Sequence, residues 1–160
     1  MLRRFAGRIV CAMKNPATYE DANLILKLYE LRREPRLRDA RKWFGGAPQF
    51  QSREEWLKVC PPGSEENASY RMVVTYWEMA ASLVAGGVLN AELFYSSNLE
   101  MLFVWEKIRV MLAEVRAGQR NPKLYRNLEQ VATEFLDHMN ATSPDWYDTY
   151  FAPMVAKAGR

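Results

Sequence analysis

From Leu99 to Val115 most positions are apolar, and Glu100, Lys107 and Glu114 fall together on one narrow stripe. A helix whose polar face is that narrow must be covered by neighbours on its other sides. This pattern predicts the central helix of a bundle. Asn90 opens the segment, a kink is expected near Ser96-Ser97-Asn98, and Gly118 closes it.

The flanking segments repeat the same grammar. Asn15-Pro16 is read as the start of a helix, with Asn as N-cap and Pro in the first turn. Ala22, Ile25, Leu26 and Tyr29 then recur at helical spacing, with Leu24, Leu28 and Leu31 on the other side. A helix apolar on two sides is sandwiched or lies in an oligomer interface. Pro35 stops it. A short basic helix is expected from Arg36 to Phe44, ended by Gly45-Gly46, with a flexible loop from Gly45 to Gln51. Ser52 and Glu55 form a capping-box pattern, and Ser64 followed by Glu65 and Glu66 starts a longer helix that Gly86-Gly87 ends. Its inner face reads Val73, Tyr76, Trp77, Ala80, Leu83 and Val84. Asn121-Pro122 repeats the first start signal, Asn-Pro-x-x-Tyr, through shared capping physics. The following stripe is Tyr125, Leu128, Val131, Ala132, Phe135, Leu136 and Met139. Ser143-Pro144-Asp145 precedes an aromatic helix with Trp146, Tyr147, Tyr150 and Phe151. No stretch alternates as a strand does.

The fold class that follows is all-α: a single-domain bundle of about six or seven helices over residues 15–160, three long antiparallel ones at its centre. Short links between long helices favour antiparallel neighbours. With 49% hydrophobic and 26% charged residues the chain has globular rather than disordered composition. No run reaches the ~18–20 apolar residues of a bilayer span. Cys11 and Cys60 make no disulfide framework, so a reducing, cytoplasmic setting is expected.

Residues 1–14 stand apart. Arg3, Arg4, Arg8 and Lys14 are basic and no acid precedes Glu20, while Leu2, Phe5, Ile9 and Met13 share one helical face. Three readings stay open: a docked or frayed first helix, which ranks first, an anchor on an anionic membrane surface, and a targeting peptide. Met13 as the natural start is a further option.

Chemistry is scarce. There is no Gly-rich phosphate loop, no nucleophile elbow and no H-E-x-x-H site. The only histidine, His138, has Glu134 one turn earlier and Asp137 beside it, which reads as solvated charge pairing. A di-iron bundle needs Glu-x-x-His, and Phe135 occupies that position. Convergence of Glu78, Glu100 and His138 on a metal is disfavoured, because each points away from its helix's main apolar stripe. No catalytic residue, cofactor or metal is expected. The seven basic residues between Lys27 and Lys42 are interspersed with three acids, so a nucleic-acid partner is disfavoured.

Two arginines are more informative. Arg109 and Arg116 share the stripe of Trp105, Ile108 and Leu112, so both should be partly buried. Pairing across the hairpins sets Arg109 level with Glu66 on one neighbour and Glu129 on the other. The expectation is an Arg109–Glu129 ion pair that organises the interior, with an anion pocket as the alternative.

Tyr76-Trp77-Glu78, Gly87-Val88-Leu89, Trp105-Glu106, Arg116, Asn121-Pro122-x-x-Tyr125 and Asn127-Leu128-Glu129 lie between Tyr70 and Phe135. In these residues the chain resembles an uncharacterised bacterial family of small helical proteins, a domain of unknown function. The resemblance implies helices and no known activity. Members often carry membrane-spanning segments ahead of the helical domain, and no run here has that character. The functional expectation is a non-enzymatic interaction or scaffold module with a protein partner or a second copy. The alternatives are peripheral membrane association through residues 1–14 and a small-ligand bundle.

Overall fold

The computed structural model describes residues 15–159, so the amphipathic segment of residues 1–14 lies outside the described residues. Among those described, the chain is all-helical and without strands. The elements are α1 (Tyr19–Arg32), α2 (Pro35–Gly46), α3 (Arg53–Val59), α4 (Glu65–Ala85), α5 (Ala91–Tyr95), α6 (Glu100–Ile108), α7 (Leu112–Gly118) and α8 (Arg126–Thr142). A π-helical turn (Tyr147–Phe151) then runs into α9 (Ala152–Lys157).

Most starts follow local capping chemistry. Ser64 accepts from the Asn67 N–H and opens α4, and Asn90 accepts from the Leu93 N–H and opens α5. Ser52 accepts from the Glu55 N–H, while the Glu55 carboxylate reaches back one residue further, to the Gln51 N–H. Pro35 begins α2 rather than merely ending α1, because Glu34 caps it through the Leu37 N–H.

Both Asn-Pro-x-x-Tyr starts behave differently from expectation. The first helix begins at Tyr19, where Thr18 and Asp21 form a reciprocal capping box that satisfies two backbone donors. The second begins at Arg126, after a turn in which Tyr125 is left-handed at φ 53°. The shared motif is therefore not a common cap: it leads straight into α1 at Tyr19 but forms a turn ahead of α8.

The long segment opened by Asn90 divides into α5, α6 and α7. One break falls near the expected Ser96–Asn98 kink, where buried Asn98 donates from Nδ2 to the Phe94 carbonyl. The other falls at Arg109–Met111. α4 packs on α2 and α8, while α6 packs on α8, α4 and α9. The buried residues form one contiguous core. Its largest members include Trp77, Tyr70, Phe44, Phe50, Phe94 and Phe135. Each large apolar side chain so buried contributes roughly 1.5–3 kcal/mol. Around Tyr70, the rings of Trp56, Phe50 and Phe44 lie at 5.2, 6.1 and 6.2 Å.

Candidate functional site

The three charges on the narrow stripe of the central segment range from exposed Glu114 to fully buried Lys107. Each serves another part of the chain. Glu100 receives the Arg41 guanidinium, with Nε at 2.7 Å, and lies 3.8 Å from Arg32. Glu114 accepts from the Arg53 N–H at 2.8 Å, at the start of α3. Lys107 is fully buried, and its ammonium donates to the carbonyls of Phe44, Gly45 and Ala47 at the end of α2. The unsatisfied carbonyls of a helix end attract a cation, which explains the placement. Burial pulls the Lys107 ammonium down to about 8.

The predicted ion pair is redistributed. Glu129 is held at 2.7 Å by Arg116, not by Arg109. Arg109 pairs instead with Glu106 on its own segment, with Nε at 2.8 Å. Arg109 keeps the helical phase, its N–H donating to the Trp105 carbonyl, but Glu106 lies one turn earlier within reach and takes the guanidinium. Arg109 is 42% exposed whereas its partner Glu106 is 4% exposed. Glu106 also accepts from the Tyr147 hydroxyl at 2.9 Å, tying the C-terminal aromatic turn to α6. Its hydrogen bond to Arg109 raises the guanidinium pKa further. Glu66 is exposed on the first turn of α4, and among the described residues no ion pair joins it to either arginine.

Arg116 belongs to a larger cluster. Its Nε donates to the Leu124 carbonyl at 2.9 Å, beside left-handed Tyr125. Across the same turn, Glu78 of α4 accepts from the Leu128 N–H at 2.7 Å, the Asn127 Nδ2 at 2.7 Å and the Asn127 N–H at 3.3 Å. A left-handed tyrosine costs about 1–2 kcal/mol, and Tyr125 supplies no side-chain cap to α8. Arg116 holds the turn through the Leu124 carbonyl, and the Glu78 carboxylate supplies that cap from α4. Glu78, Arg116, Tyr125, Asn127 and Glu129, all carriers of the family resemblance, meet here. No local sequence signal could have paired Glu78 with residues forty-nine positions later.

Glu78, Glu100 and His138 thus face three separate sets of partners. His138 lies 3.9 Å from Glu92 and packs by the Tyr95 ring at 5.2 Å. Among the described residues no cluster of His, Cys, Asp or Glu could hold a metal ion. None of the described helices is long and apolar enough to cross a membrane. Cys60 is buried, and burial pushes its thiol up to about 11, which removes nucleophilic character.

Several large apolar side chains also remain accessible. On α1, Tyr19, Leu26 and Tyr29 are 77%, 60% and 49% exposed, and Ala22 lies between them. A shallow groove of about 400 Å³ runs beside Leu31, Leu37, Met72, Tyr76 and Met79. A second groove, of about 600 Å³, lies between α5, the end of α4 and the second half of α8.

These features define an all-helical domain whose polar interior holds helix ends in place and whose outer face carries uncovered apolar side chains. The chain belongs to the family described as domain of unknown function (DUF4760), which matches residues 17–135. That span takes in α1 to α7 and the first turns of α8. No curated protein and no solved structure matches the chain.

Proposed function

We propose that this chain is a helical interaction module that pairs with a second copy of itself through the exposed seam of α1. Tyr19, Ala22, Leu26 and Tyr29 stand at i, i+3, i+7 and i+10, the spacing of a helix-pairing seam. The exposure of Tyr19, Leu26 and Tyr29, with Ala22 half-buried between them, is the observation that carries the reading. The seam is self-complementary when run antiparallel. Tyr19 then meets Tyr29 of the other copy, and small Ala22 meets the larger Leu26. Such an isologous contact closes with two-fold symmetry.

A 14-residue helix is only ~21 Å long, so the interface is small and the dimer depends on concentration. Light scattering of the full chain across a hundredfold concentration range is expected to show mass rising from monomer toward dimer. Leu26→Arg should leave the mass monomeric without lowering the melting temperature, because that side chain faces solvent. A parent chain that stays monomeric at every concentration overturns the reading. The sparse cysteine usage supports a reducing, cytoplasmic setting for this module.

A further inference from the structure

The second groove has a character the α1 seam lacks. Its floor is apolar, formed by Val84, Leu89 and Tyr95, and its rim carries the carboxylates of Glu92 and Glu134. His138 is the only basic side chain among the described residues that line it. At one edge lies Asn15, whose backbone carbonyl accepts from Asn90 Nδ2 at 2.8 Å. The chain ahead of Asn15 therefore starts at the mouth of the groove. That preceding stretch has four basic residues, no acid, and Leu2, Phe5, Ile9 and Met13 at helical spacing.

We propose that this groove is the seat of the chain's own first fourteen residues. The match is one of both kinds of chemistry. The apolar stripe covers the Val84–Leu89–Tyr95 floor while the arginines meet the acidic rim. Reach is ample, since Ile9 stands six residues before Asn15 and such a span covers ~9 Å as helix or ~20 Å extended. A tethered segment also competes at high effective concentration, so modest contacts suffice to keep it seated. The groove is thereby a receptor for a cationic amphipathic segment, and an external segment of that chemistry must displace the internal one.

Cys11 provides the probe, because it falls on the side of the segment opposite the apolar stripe and Cys60 is buried and unreactive. The full chain would carry Ala141→Cys at the groove rim, with Leu26→Cys on the α1 seam and Thr75→Cys on α4 as separate controls. A short bifunctional thiol reagent is added to dilute protein, and intrachain cross-links to Cys11 are timed by peptide mass spectrometry. Cross-linking at position 141 is expected to be about tenfold faster than at either control, reflecting raised effective concentration. Adding Ile9→Asp, or separately Glu134→Lys, should bring that rate down toward the controls, with circular dichroism confirming an intact fold. Equal rates at all three positions, a preference for position 26, or a groove rate indifferent to both substitutions overturns the proposal.

Discussion

α1 and α8 both begin at or just after an Asn-Pro-x-x-Tyr sequence, yet they are secured in opposite ways. The start of α1 is closed by its own neighbours, through the Thr18–Asp21 capping box. The start of α8 is closed from a distance, by Glu78 of α4 and by Arg116 of α7. Their faces differ as well. α8 buries Leu128, Val131, Ala132 and Phe135, whereas α1 buries only Leu28 among its large apolar residues and leaves Tyr19, Leu26, Tyr29 and Leu31 exposed. The far end of α1 is anchored by single contacts. Tyr76 donates to the Leu28 carbonyl at 2.8 Å, and Arg41 donates to the Arg32 carbonyl at 3.2 Å. A helix that is locally complete can sit at the periphery and show an apolar seam. A helix without its own cap must be built into the centre.

The contrast is most open to attack at Glu78. Glu78→Ala removes the acceptor for two backbone N–H groups and the Asn127 amide, and should cost about 3 kcal/mol in denaturant unfolding. An effect below about 1 kcal/mol would mean that water caps α8 as well as the carboxylate does. Arg116→Ala should cost about 2 kcal/mol, between the ranges for exposed and buried pairs, since its side chain is 20% exposed. Arg109→Ala should cost about 1–2 kcal/mol, because it leaves the 4% exposed Glu106 carboxylate without its cation while Tyr147 still donates to it. Thr18→Ala removes a local cap and should cost about 1 kcal/mol. Hydrogen exchange should show that loss confined to the first turn of α1, while Glu78→Ala speeds exchange along α8.

The gentlest probe is acid. The Asp21 carboxyl lies below its ordinary value of 3.8, chiefly because the Thr18 N–H donates to it and then because the Asn90 N–H does. The folded chain thus binds fewer protons than the unfolded chain in that range. Its contribution is complete above pH 3.8 and is lost as pH falls through the lowered folded value. Hydrogen exchange or chemical shifts of Thr18 and Asn90 should follow that titration, with no counterpart in Asp21→Asn.

Much of this was legible in the letters. Ser52, Ser64 and Asn90 sit where local capping chemistry puts them, and the glycines at 86 and 87 end α4 as read. The expected core stripe of α8 is buried at Leu128, Val131, Ala132 and Phe135. Two residues were less so. Arg109 follows the helical phase expected of it, but its carboxylate is Glu106 one turn earlier rather than Glu129 across the hairpin. Lys107 is legible in the sequence only as part of a narrow polar stripe, because the carbonyls of α2 that receive it lie about sixty positions away.

By itself the sequence determined the helical class, most helix limits and the apolar faces, because capping and 3.6-residue periodicity act within a few residues. Tertiary structure alone decided which charge answers which helix end, that α1 keeps an uncovered seam, and that an acid-rimmed groove opens beside Asn15. Those outcomes depend on backbone groups meeting across the bundle, where distance along the chain carries no information about distance in space.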